Sequence, residues 1–148
     1  MFLDEYSENV EPINNNHNVV DEIIFGRKNK NTLNFGHVNA RSLTAISETG
    51  SRIDEVKMFV RQYKIDILAV TETHLDDSID DASIYIEDFI VYRNDRNSRH
   101  GGGVALYVKN NIFAKEIDDL FIDDLETLWV EVLINNTKND FWCLLSTA

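Results

Sequence analysis

At 148 residues the chain has room for one domain or a piece of one, and its 43% hydrophobic and 27% charged content is that of a folded globular protein. It holds no apolar run long enough for a membrane span, its acidic opening Met1-Phe2-Leu3-Asp4-Glu5 argues against a secretory signal, and the single Cys143 excludes an internal disulfide. With 14 basic against 26 acidic residues the formal net charge is −12, so bulk electrostatics oppose docking on a phosphate backbone.

Residues 1–32 are rich in Asn, Asp and Glu, hold the only proline, Pro12, and lack sustained periodicity. Val19, Val20, Ile23, Ile24 and Phe25 have the makings of one or two helical turns; the stretch otherwise reads as a poorly ordered leader to a domain at 33–148. Leu33–Asn39 is a first strand, followed by the loop Ala40–Gly50. Ile53, Val56, Phe59, Val60 and Tyr63 then fall three and four apart, the stripe of an amphipathic helix. Ser51 or Gly50 can cap it, Asp54 and Glu55 suit its first turns, and Lys64 suits its end.

Asp66–Thr71 is apolar almost throughout, the mark of a strand covered on both faces. A long polar segment leads to a third strand, Asp88–Arg93, and the loop Asn94–Gly103 to a fourth, Val104–Lys109. Thr127–Ile134 alternates strongly, with Leu128, Val130, Val132 and Ile134 on one face. Asn135–Asp140 is a turn, and Phe141–Ser146 returns as a hairpin partner. Cys143, in that apolar run, reads as a buried inert thiol in a reducing compartment. The tracts Asp76–Asp88 and Glu116–Glu126 are acidic, whereas Arg93, Arg96 and Arg99, with His100 and only Asp95 against them, make one basic patch.

Strand, helix, strand over Leu33–Glu72 is a βαβ unit, whose strands are parallel and joined by a right-handed crossover. Asn39 and Glu72 each stand at a strand's carboxyl end and so face one crevice, where open α/β sheets place their ligands. A carboxylate and an amide oxygen there suit a hard cation such as magnesium. Read alone, Glu72 is equally a solvated strand-end acid, and Asn39 one of many turn-forming asparagines. Gly101–Gly103 lacks the Lys-Ser/Thr that follows a phosphate-cradling glycine loop and reads as a flexible turn.

Three blocks in order, His37-Val38-Asn39-Ala40-Arg41-Ser42-Leu43, Thr71-Glu72-Thr73-His74-Leu75 and Gly101-Gly102-Gly103-Val104-Ala105-Leu106-Tyr107-Val108, resemble one family. It is the endonuclease domain of non-LTR retrotransposons, within the endonuclease/exonuclease/phosphatase superfamily of apurinic endonucleases and deoxyribonuclease I-like enzymes. The resemblance spans about Leu33 to Leu145. It implies an α/β fold, one mixed sheet with helix cover, equal to the amino-terminal half of a two-sheet sandwich. By it Asn39 matches the active-site asparagine and Glu72 the magnesium-binding glutamate, the substrate is DNA, Arg93, Arg96 and Arg99 are candidate nucleic-acid contacts, and the location is intracellular and nuclear.

The family's catalytic histidine lies far toward the carboxyl end, so His74 is a neighbour of the site rather than its base. Asp95-Arg96-Asn97 mimics the family's Asp-x-Asn pair but precedes the glycine run, in the wrong order. A further Tyr or Arg block, the Gly-Asp-x-Asn strand end and the terminal Asp-His do not occur between Ile134 and Ala148. The expectation is a truncated domain, a phosphodiester-cleaving enzyme by descent and inactive as an isolated chain. A general base alone is worth about 10²–10⁴-fold in rate. Two alternatives stand beside it: a domesticated acidic protein-interaction module without catalysis, and a phosphatase or phosphodiesterase of the same superfamily. A half-domain also predicts an open sheet face, at Val130, Val132 and Ile134, covered by a protein partner or by self-association.

Overall fold

Ile67-Leu68-Ala69-Val70-Thr71 gives the molecule its central strand, because a run of apolar side chains can be buried on both sides at once. The computed structural model describes residues 22–25, 33–48, 50–96, 101–117, 126–133 and 140–147. In chain order the elements are β1 (Glu22–Phe25), β2 (Phe35–Asn39), β3 (Ile46–Ser47), β4 (Gly50–Ser51), α1 (Arg52–Tyr63), β5 (Ile67–Thr71), a 3₁₀ turn (Asp81–Ile84), β6 (Phe89–Asn94), β7 (Val104–Lys109), β8 (Phe113–Glu116), β9 (Glu126–Leu133) and β10 (Asp140–Thr147).

One sheet has the order β1-β2-β5-β7-β6, with β2 and β5 parallel and the other pairs antiparallel. A second has the order β10-β9-β8, all antiparallel, and β3 with β4 forms a small hairpin. α1 is the crossover of the βαβ unit. Ser51 caps it, accepting from the Asp54 amide at 3.3 Å, and Lys64 ends it in the left-handed region at φ 51°.

Two apolar layers follow from the alternation of side chains along each strand. On one face of the large sheet, Val38, Leu68, Val70, Ala105 and Tyr107 pack against Ile53, Val56, Phe59 and Val60 of α1 and against Leu43, Leu75, Ile84 and Ile86. On the other, Ile67, Ala69, Val104, Leu106 and Val108 meet Leu128, Val130 and Val132 of the second sheet. Each fully buried side chain of this kind contributes roughly 1.5–3 kcal/mol relative to an exposed one. The α/β class, with a mixed sheet, helix cover and the partial sheets of half a sandwich, is as read from the sequence.

Two expectations are corrected and one gains detail. Ile23, Ile24 and Phe25 belong to a strand, not a helical turn: β1 pairs antiparallel with β2, Ile24 opposite Gly36, so a tertiary partner overrides a short ambiguous apolar run. The polar segment after Glu72 contains the 3₁₀ turn at Asp81–Ile84. Val130 and Val132, expected on an open face, are both 0% exposed, because the large sheet covers them. The remaining expectations at Val19, Val20, Arg99, His100, Ile134 and residues 135–139 lie outside the described residues.

Candidate active site

β2 and β5 leave the sheet at the same edge, Asn39 standing opposite Thr71 in the parallel register. Past that edge the chains remain bonded. The amides of Ala40, Ser42 and Leu43 donate to the carbonyls of Thr71, Glu72 and Thr73 at 2.9, 2.9 and 2.8 Å. On the other side, Thr73 and His74 donate to the carbonyls of Gly103 and Gly102 at 3.2 and 2.9 Å. Residues 72–74 are thus held between two loops, anchored from below by the buried Leu43 and Leu75. Arg41, Ser42, Glu72 and His74 all take positive φ, at 45°, 81°, 53° and 51°. Such backbone costs an L-residue roughly 1–2 kcal/mol, and four instances meet at this one edge.

Glu72 is partly exposed. Its Oε2 accepts hydrogen bonds from His74 Nε2 and from the Gly102 amide, each at 3.1 Å. Partial burial pushes this carboxyl up, but the hydrogen bonds from His74 and Gly102 and the charges of His74 and Arg96 outweigh burial and hold it below its ordinary value. Oε1 takes no hydrogen bond from any described residue. Asn39 closes an Asx turn, its Oδ1 accepting from the Arg41 amide at 3.2 Å. Half-buried His37 lies two residues before Asn39, its Nε2 at 3.2 Å from Thr71 Oγ1, and burial pushes its pKa down, favouring the neutral ring.

Among the described residues no three His, Cys, Asp or Glu side chains gather into a cage for a metal. The donor chemistry still fits a hard cation through one ligand. Glu72 offers an ionised carboxylate with one oxygen uncommitted, and magnesium commonly keeps several waters and takes one or two carboxylates.

The arginines divide. Arg93, read from the sequence as a nucleic-acid contact, has all its N–H donors turned inward. Nε and Nη2 bond Asp95 at 3.0 and 2.6 Å, Nη1 bonds the Ile79 carbonyl and Asp81 at 2.9 and 2.8 Å, and Nη2 also bonds the Asp76 carbonyl at 3.0 Å. That leaves no donor for a phosphate, and Arg93 acts as a clip on the segment after Glu72. Arg96 lies near enough to Glu72 for its charge to lower that carboxyl.

Sequence reasoning placed Asn39 and Glu72 on one edge but took the glycine run for a flexible turn. The structure bonds that run to Glu72, Thr73 and His74, with Gly101, Gly102 and Gly103 at φ 89°, 79° and 79°. The signal was the run itself, since three consecutive positive φ values admit little else than glycine. Compared with known protein families, residues 31–145 match the model described as the Endonuclease/Exonuclease/phosphatase family. No curated protein matches the chain.

Proposed function

Because the chain belongs to the endonuclease/exonuclease/phosphatase family, we propose that its site is by descent one for divalent-metal-dependent hydrolysis of a phosphodiester bond in DNA, as in the endonucleases of non-LTR retrotransposons, and that the isolated chain binds the metal without cleaving. The observation that carries the proposal is the Glu72 carboxylate. It stands at the shared edge of two parallel strands, is kept ionised, and has Oε2 held by Gly102 and His74 while Oε1 stays uncommitted. In this reading Glu72 holds magnesium, which when bound polarises the scissile phosphate and stabilises charge on the leaving oxygen. Asn39 orients the attacking water or the phosphate through its amide, His74 steadies Glu72, and Arg96 meets the phosphate backbone. The setting is intracellular and nuclear. The order of the three blocks, ending in Gly101–Val108, favours the retroelement branch over a small-molecule phosphatase.

Metal binding and cleavage are separable. The resemblance assigns the general base to a histidine that has no match among these residues, so the site supplies metal binding and orientation. Purified chain with magnesium is expected to nick supercoiled plasmid no faster than its Glu72→Ala variant; robust Glu72-dependent nicking would refute that. Calorimetry should show weak magnesium binding that Glu72→Gln abolishes. Equal affinity in both would overturn the ligand assignment. A second reading, a protein-interaction module without catalysis, draws on the net charge of −12 and on the inward donors of Arg93. It expects no magnesium binding at all.

A further inference from the structure

We propose that Gly103 is a positioning residue: its bare α-carbon lets the end of β7 close on buried Thr73, and that approach holds the Gly102 amide on the Glu72 carboxylate. The inference rests on reading Glu72 as the cation ligand and adds what sets that ligand's position. Glycine in this run has two separable consequences, backbone freedom and absence of a side chain. All three glycines share the first. Their φ values of 89°, 79° and 79° are strained for any other residue.

The second is particular to position. A Cβ built on Gly103 would stand 2.5 Å from Thr73 Oγ1, inside any ordinary carbon–oxygen contact, with the Asn94 carbonyl at 3.7 Å and the Arg96 amide at 3.8 Å. On Gly101 the nearest atoms would be His74 Nε2 at 3.5 Å and Glu72 Oε2 at 3.8 Å, both normal van der Waals distances. Thr73 cannot easily give way. It is 0% exposed, and a β-branched side chain has few rotamers to move between. Among the described residues its buried Oγ1 has no hydrogen-bond partner, so the hydroxyl fills space against Gly103 and holds none of them.

The contact reaches Glu72 through the backbone. Thr73 donates to the Gly103 carbonyl, His74 to the Gly102 carbonyl, and the Gly102 amide returns a bond to Glu72 Oε2 at 3.1 Å. The peptide joining Gly102 to Gly103 is planar and stiff, so displacing Gly103 displaces its neighbour. Freed from that amide, Glu72 regains rotamers that a bound cation must then freeze. The loss expected is up to about tenfold in magnesium affinity.

Four variants of the 148-residue chain test this: Gly101→Ala, Gly103→Ala, Thr73→Ala, and Thr73→Ala with Gly103→Ala. Each is read by magnesium calorimetry and, without metal, by the NMR shift of the Gly102 amide proton. Both single glycine variants should lower the melting temperature, because both carry the positive-φ penalty. Gly103→Ala alone should weaken magnesium about tenfold and move the Gly102 amide upfield, and adding Thr73→Ala should restore both. Unchanged affinity and amide shift in Gly103→Ala, or no rescue in the double variant, would overturn the proposal. Should Gly103→Ala fail to fold, comparing the double variant with Thr73→Ala decides: equal binding and an equal amide shift support the contact, and a remaining defect refutes it. Magnesium binding that survives Glu72→Gln defeats the ligand reading instead, while the metal-free amide shift still settles the Gly103 contact.

Discussion

Tyr107 shows how much one residue's place decides. It is buried on the helix-covered face, with its hydroxyl donating to the Ile84 carbonyl at 3.0 Å. Burial, aided by the nearby Asp81 charge and opposed by Arg93, raises its pKa well above the ordinary tyrosine value of about 10. A folded pKa raised in this way gives stability that is complete below about pH 10 and lost as pH rises toward the folded value. Denaturant midpoints followed from pH 8 to 11 should therefore fall steeply above about pH 10. Tyr107→Phe should flatten that fall while losing about 1 kcal/mol at neutral pH with the hydrogen bond. An equally steep alkaline fall in Tyr107→Phe would assign the loss to other groups. At this scale the position of Glu72 and Asn39 at one edge of the sheet was legible, because a polar residue that ends an apolar strand points to an edge. The hydrogen bond from His74 to Glu72 and the close approach at Gly103 were not. One depends on a left-handed backbone angle, the other on space that a side chain does not fill.

Among the elements, β6 and the segment after β5 are fastened together by Arg93. Its guanidinium and Asp95 are a close pair, with side chains 16% and 8% exposed, whereas Asp81 is 63% exposed and adds little. Arg93→Ala should destabilise the fold by about 3 kcal/mol, because Asp95 would remain buried without its partner. Denaturant titration measures this, and a change within about 0.5 kcal/mol would return Arg93 to the surface class, where a nucleic-acid contact belongs. Periodicity found α1 to within a residue and found β7 and β9 as strands, since each has a buried face that imposes its spacing. It missed β8, where Phe-Ala-Lys-Glu has no period, and misjudged β1, whose identity comes from a partner ten or more residues away. Two-residue strands such as β3 and β4 carry too few positions to show a pattern.

For the molecule as a whole, the second sheet changes the expected balance. Leu128, Val130 and Val132 are buried against the large sheet, so Val130 and Val132 offer no open face for self-association. The two sheets should unfold in one transition, because the apolar layer between them belongs to both. Val130→Asp should abolish that transition, since an unpaired buried charge rivals a typical total stability of about 5–15 kcal/mol. Glu131→Ala, the neighbour outside the layer, should shift it by no more than about 0.5 kcal/mol. Separate melts of the two sheets by circular dichroism would show them to be independent. The order in which the chain closes carries a last consequence. Glu72 is framed by two pairings, one to Asn39–Leu43 and one to Gly102–Gly103, each spanning some thirty residues of chain. Contacts so distant in sequence form slowly, after local helix and hairpin structure has been sampled many times. The candidate site is thus expected among the last parts to form during folding, in an interval when the chain already has its helix and still exposes the apolar run of its central strand.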